Sequence, residues 1–120
     1  MTKVLVVDDD EAVRESTCAV LESAGFETES AGSGEEALAK LQPGVEAMVL
    51  DLFMPKVDGI EVLERMAEDV AVVVVVSAFE YRTRDEVERR CGGRVCAYLA
   101  KPVPPPKLVQ TVADCLGRAS

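Results

Sequence analysis

The chain has 120 residues, 48% of them hydrophobic, with no tryptophan, no histidine and a formal net charge of −9. That length supports one domain, 1–120, with a core large enough to stand without disulfide or metal staples. The charge argues against a protein that binds the phosphate backbone of a nucleic acid, and for a self-repelling monomer or a partner with a basic surface.

In chain order, Lys3 to Val7 is a short β-branched and leucine run, the pattern of a buried strand. It stops at Asp8-Asp9-Asp10. Val13, Thr17, Val20, Leu21 and Ala24 then recur at helical spacing, and Gly25 is placed to end that helix. Asp10, next to the helix, reads as its cap. Phe26 to Ala31 is a second strand. Ser33-Gly34-Glu35-Glu36 has the form of a capping box for a short helix carrying Ala37, Leu38 and Leu41, broken by Pro43-Gly44. Ala47 to Leu50 is a strand apolar on both faces, and it ends at Asp51. Asp58-Gly59 opens a third helix, with Ile60, Leu63, Met66, Ala67 and Val70 facing inward. Ala71 to Val76 is the most hydrophobic strand and is expected in the middle of the sheet. Thr83-Arg84-Asp85-Glu86 is expected to cap a fourth, mostly charged helix whose thin apolar stripe is Val87 and Cys91. Cys96 to Ala100 is the last strand. Pro104-Pro105-Pro106 leads into a final helix with Leu108, Val109, Val112, Cys115 and Leu116 on its apolar face, stopped by Gly117.

Strand and helix alternate five times. This predicts an α/β domain with one parallel sheet, right-handed crossovers and helices on both faces. The strands end at Asp8-Asp9, Asp51, Ser77 and Lys101, all on one edge of such a sheet. With strand order 2-1-3-4-5, the first and third strands are neighbours at the topological switch point, and three carboxylates share one pocket. Two unit charges about 4 Å apart repel by roughly 4 kcal/mol at an effective dielectric of about 20, so the cluster calls for a cation. Hard oxygen ligands suit Mg²⁺ (or Mn²⁺). A metal, a lysine and a hydroxyl around a nucleophilic carboxylate are the parts that stabilise a transferring phosphoryl group.

Five short motifs in this order carry a family resemblance: Val-Val-Asp-Asp at 6–9, Val-Leu-Asp at 49–51, Met-Pro-x-x-Asp-Gly at 54–59, Ser-Ala at 77–78 and Tyr-x-x-Lys-Pro at 98–102. Together they resemble the response-regulator receiver domain of two-component signalling, of the chemotaxis-receiver type, over essentially the whole chain. The resemblance implies a flavodoxin-like (βα)5 three-layer sandwich. It implies that Asp51 accepts a phosphoryl group from a sensor histidine kinase, a phosphotransfer protein or a small donor. It implies that Asp8, Asp9, Asp51 and the backbone carbonyl of Phe53 bind Mg²⁺, with Asp8 acting mainly through water. Lys101 would pair with the acceptor, Ser77 would bond the phosphoryl group, and Tyr98 would swing inward behind it. A cis Lys101-Pro102 bond and a reporter face of helix four, strand five and helix five also follow. The implied protein is a cytoplasmic switch for an output domain or target protein, monomeric or dimerising on phosphorylation. It modifies itself and is not a turnover enzyme. Taken by its position alone, Tyr98 is equally an ordinary half-buried strand aromatic.

Phe53 and Phe79 stand where the family commonly has polar residues, and are expected either to shield an acyl phosphate from water or to pack against loops. The stretch 90–96 is about two residues longer than is usual there. Four cysteines without histidine or a Cys-x-x-Cys pair argue against zinc; Cys18 and Cys115 read as core residues, and Cys91 and Cys96 are close enough in sequence to raise a redox pair, against which free thiols in a reducing cytoplasm are the simpler account. No secretory signal is evident, and the apolar run 70–76 is far short of the roughly 20 residues that span a bilayer. Two other functions compete. An aspartate-nucleophile hydrolase needs a general acid two residues after Asp51, where Phe53 stands. A flavodoxin-like cofactor carrier needs a glycine- and hydroxyl-rich phosphate loop where Asp8, Asp9 and Asp10 stand.

Overall fold

The structure, a computed structural model, describes residues 2–52, 54, 58–66, 72–77 and 81–119. Five strands form one parallel sheet in the order β2-β1-β3-β4-β5. They are β1 (Lys3–Val7), β2 (Glu27–Ala31), β3 (Val45–Leu50), β4 (Val72–Ser77) and β5 (Val95–Ala100). The helices between and after them are α1 (Glu11–Ser23), α2 (Gly34–Lys40), α3 (Gly59–Arg65), α4 (Tyr81–Cys91) and α5 (Pro105–Ala119). This is the expected doubly wound, flavodoxin-like architecture.

The period of two in each strand splits the core. Leu5, Val7, Met48, Leu50, Val73 and Val75 face one side, where Ala37, Val62, Leu63 and Val87 of α2, α3 and α4 cover them. Val4, Val6, Ala47, Val49 and Val74 face the other side, covered by Leu21 of α1 and by Leu108, Val112 and Cys115 of α5. Each fully buried valine or leucine contributes roughly 1.5–3 kcal/mol relative to exposure. Burial on both faces is why these strands read as continuous apolar runs.

Caps set where the helices begin. The Asp10 carboxylate accepts from the amides of Ala12 (3.0 Å) and Val13 (3.2 Å) at the start of α1. Ser33 Oγ accepts from the Glu36 amide, but the Glu36 carboxylate reaches back one residue further than a standard box, to the Gly32 amide at 2.6 Å. Asp58 caps α3, its Oδ1 accepting from the Glu61 amide at 3.0 Å. Gly25 takes φ +96°, the left-handed turn after α1 that a side chain would strain.

Several expectations are corrected. The central strand is β3; β4 is interior but one place off centre, since hydrophobicity reports burial on both faces and three strands of this sheet share it. Thr83 lies inside α4, which starts at Tyr81, so its Thr-x-x-Glu spacing marks a first turn and not a cap. Gly117 does not stop α5, which continues to Ala119; one glycine in a helix costs only about 1 kcal/mol, and the inner face of this helix is well packed. Helix α3 ends at Arg65 with Met66 as its cap residue, and Ala67 and Val70 lie outside the described residues. Val62, not singled out by spacing, is fully buried.

The long stretch before β5 is a 3-10 turn, Gly92–Arg94. Its Arg94 guanidinium donates to the carbonyls of Leu63 and Met66, satisfying the open end of α3.

Gly59 packs the start of α3 onto the end of β3. Its amide donates to the Leu52 carbonyl at 3.0 Å, and a Cβ there would lie 2.6 Å from both the Asp51 carbonyl oxygen and Leu52 Cα. Both obstacles are backbone, so they cannot rotate away. Gly59→Ala is expected to cost about 1–3 kcal/mol by overpacking, read as a lower urea midpoint with an unchanged slope. A midpoint within error of the unmutated chain would contradict this close approach.

Candidate functional site

Strand register builds the site. Val7 of β1 pairs with Leu50 of β3, and the Asp51 amide donates to the Val7 carbonyl at 3.0 Å. The next residue on each strand is a carboxylate, so Asp8 and Asp51 emerge side by side where the sheet ends. One oxygen from each of Asp8, Asp9 and Asp51 can be chosen so that all three lie within 4.8 Å of one another. Asp8 and Asp51 are buried and Asp9 is exposed. Ser77 closes β4 opposite Ala100 of β5, beside Lys101 in sequence; its side chain lies outside the description.

Lys101 reaches into this cluster from the end of β5. Its Nζ donates to Asp8 Oδ2 at 2.7 Å and to Asp51 Oδ2 at 3.2 Å. Burial acts to lower the ammonium's pKa. The Asp8 hydrogen bond, the Asp51 and Asp8 charges and the Asp51 hydrogen bond outweigh it, so the net shift is upward. Three carboxylates and one ammonium still leave the pocket two charges negative. That balance, with hard oxygens at this separation, suits a divalent cation.

Supporting groups lie behind these side chains. Asp8 Oδ1 accepts from the Asp10 amide at 2.9 Å, and the Asp8 carbonyl accepts from Arg14 of α1 at 2.9 Å. Arg14 was not expected from the sequence. Its position in the first turn of α1 carries no motif, and only the turn of the chain after β1 brings it back. The Lys101–Pro102 peptide is cis. Beside Lys101 a groove of about 620 Å³ opens between α1 and the start of α5, lined by Ala12, Val13, Val103, Pro105 and Leu108 among others.

Tyr98 is already half buried, packed against the core cluster that includes Val87 and Cys91 of α4. Burial first, then the nearby Glu88 carboxylate, push its pKa up. The Arg84 guanidinium sits 4.9 Å from the ring centroid, a cation–π contact that spacing did not flag. Phe53 and Phe79 lie outside the described residues. The suggested pairing of Cys91 with Cys96 does not form. Cys96 is bonded to Cys115, while Cys91 is a buried free thiol on the other face of the sheet. Cys115, read as a plain core residue, is buried but also a cross-link. Sequence proximity favoured Cys91; the sheet separates the two.

Residues 4–113 match the family described as the response regulator receiver domain. The chain belongs to this family. Among curated relatives, the receiver is 34% identical over 120 residues to the transcriptional regulatory protein ResD of Bacillus subtilis, covering 99% of this chain and 50% of ResD. It is 36% identical over 127 residues to the response regulator MprA of Mycobacterium sp. strain KMS, covering 98% of this chain and 52% of MprA. The chain thus spans about half the length of the curated relatives it matches. Among solved structures, a CheY-like receiver domain protein from Methanospirillum hungatei superposes with a TM-score of 0.88 at 28% identity, covering 99% of this chain and 96% of that one. The response regulator TrrA of Thermotoga maritima, solved in complex with Mg²⁺-BeF, gives 0.83 at 28% identity over 96% of this chain and 99% of that one. The chain is therefore a receiver domain of two-component signalling. Among its described residues no helix is long and apolar enough to cross a membrane.

The Lys101 bridge has a pH signature. Lys101→Met leaves two buried carboxylates facing each other and is expected to cost the receiver about 1–3 kcal/mol near neutral pH, less than a fully buried pair because the ammonium is partly exposed. A raised lysine pKa gives stability that is complete below the unfolded value, about 10.4, and lost as pH rises through the folded value. The gap between parent and variant in urea unfolding is thus constant from about pH 7 to about pH 9.5 and closes above. A gap that closes below about pH 9 would contradict the bridge.

Proposed function

We propose that Asp51 is the phosphoacceptor of this receiver, taking a phosphoryl group from a sensor histidine kinase, a phosphotransfer protein or a small phosphodonor. The observation that carries this is the bridge from Lys101 to Asp8 and Asp51, with Asp9 within reach of both carboxylates. The Asp51 oxygen attacks phosphorus, the donor's imidazole or carboxylate leaves, and an acyl phosphate remains on Asp51. Lys101 screens the incoming negative charge and then faces the phosphoryl oxygens. Asp8, Asp9, Asp51 and the Phe53 carbonyl would hold Mg²⁺, with Asp8 acting mainly through water. The bound metal supplies charge neutralisation for the transferring group. TrrA, solved with Mg²⁺-BeF, supports this reading by its similarity. The groove beside Lys101 gives a protein donor an apolar surface to hold while its phosphorylated residue reaches Asp51.

Phosphorylation adds about −1.5 to −2 charges beside Lys101. Ser77, at the end of β4, would bond the new oxygens, and Tyr98 would follow. Since Tyr98 already lies under α4, the change there is a tightening or a repacking beneath Arg84 and Glu88 more than a long swing. The reporter is the face of α4, β5 and α5. Residues 1–120 would act as one unit in the cytoplasm, controlling an output domain or target protein and making no nucleic-acid contact itself. By position in sequence, Phe53 and Phe79 would shield the acyl phosphate.

Incubation with acetyl phosphate and Mg²⁺, followed by intact-mass measurement, tests this. One acid-stable, base-labile phosphoryl group per chain is expected, absent in Asp51→Asn and suppressed at least tenfold by EDTA. The Phe53→Asn, Phe79→Glu double variant is expected to lose that group several-fold faster. Continuous phosphate release without a stable adduct would favour the hydrolase; the absence of both adduct and phosphate release would refute the phosphoacceptor.

A further inference from the structure

We propose that Cys96 and Cys115 form a reversible thiol-oxidation site, answering to low-molecular-weight disulfides, that fastens α5 to the edge strand β5. The proposal is independent of phosphorylation. Three observations carry it. First, the β4–β5 pairing passes from Val73↔Val95 to Val74↔Ala97, so Cys96 is the residue the register skips. An irregularity of this kind re-aims a side chain, and here it turns Cys96 towards α5. Second, Cys115 stands on the buried face of α5 among Val74, Leu99, Leu108 and Val112, with its Cα 6.0 Å from that of Cys96. That spacing lets the bond form without backbone movement. Third, the Arg118 guanidinium, one helical turn beyond Cys115, lies 3.7 Å from Cys96 Sγ. A cation there stabilises sulfur in its anionic form.

The asymmetry assigns the roles. Cys96 is half buried and next to the cation; Cys115 is almost fully buried. The Cys96 thiolate attacks one sulfur of a disulfide RSSR and releases RS⁻, leaving a mixed disulfide. Cys115 then gives up its proton, attacks Cys96 Sγ and expels the second RS⁻. Two protein thiols lose two electrons and two protons, and one RSSR becomes two RSH. The other cysteines are unsuited: burial raises the pKa of both the Cys18 and the Cys91 thiol, and neither has a partner sulfur.

The consequence falls on the signalling side of the receiver. β5 has a neighbouring strand on one side only and carries Tyr98 and, at its end, Lys101. The bond ties this strand to the middle of α5. When it is reduced, this covalent tie between β5 and α5 is gone and the packing of Leu108, Val112 and Cys115 remains.

The test uses the purified chain in mixtures of oxidised and reduced glutathione, quenched with acid, alkylated and mapped by mass. Under oxidising mixtures a monomer with two alkylated cysteines, Cys18 and Cys91, and a Cys96–Cys115 linked peptide is expected; under reducing mixtures all four are alkylated. The thermal midpoint should rise by roughly 10 °C on oxidation, and this rise should vanish in Cys96→Ser, which leaves the buried face of α5 intact. Arg118→Gln should slow bond formation several-fold. Four alkylated cysteines at every ratio, a lasting glutathione adduct on Cys96 with Cys115 still alkylated, or a disulfide-linked dimer would each overturn the proposal.

Discussion

One ammonium group holds together the end of the sheet. Without Lys101, Asp8 and Asp51 would face each other in a buried pocket, and their repulsion would push the ends of β1 and β3 apart. With it, each carboxylate has a donor within hydrogen-bond reach, at 2.7 and 3.2 Å. The bridge joins the ends of three of the five strands. It also leaves the pocket short of positive charge, and the proposed function rests on that shortage. A site that is stable but under-neutralised suits a divalent ion, which is what the proposed phosphoryl transfer requires.

The rest of the fold serves this placement. Parallel pairing of Val7 with Leu50 puts the two acids in step. Gly59 lets the α3 backbone press against the Asp51 carbonyl, so the end of β3 is braced from behind. Arg14 fixes the Asp8 carbonyl from α1. Farther out, Arg94 closes the end of α3, and Arg90 links α4 to α3 through Glu64 at 2.6 Å. Helix α4 is therefore better tied than its run of charges suggests, but by surface ion pairs and by Arg84 over Tyr98, which are weak enough to exchange. That combination suits the repacking that the proposed function asks of this face.

Much of this was legible in the sequence because period and position carry it. Apolar runs marked four of the strands, S-x-x-E and Asp-Gly marked two caps, and strand-end acids with a distant lysine marked the candidate site. Contacts made by long side chains were not legible. Arg14, Arg84 and Arg94 act on carbonyls and rings that only the folded chain brings near, and arginine on a helix carries no local signal of its target. The Cys96–Cys115 bond was missed because a skipped register position decides which way Cys96 points. The end of α5 was misplaced because a glycine stops a helix only when the chain has reason to turn there.

The most direct test of the central claim is a Mg²⁺ titration followed by two-dimensional NMR of backbone amides and lysine side chains. A single saturable site is expected, with the largest shifts at Asp8, Asp9, Asp51 and the Lys101 ammonium, and with its affinity lost in Asp9→Asn. Shifts spread over the many other acidic residues of the surface, with those four positions unmoved, would contradict it.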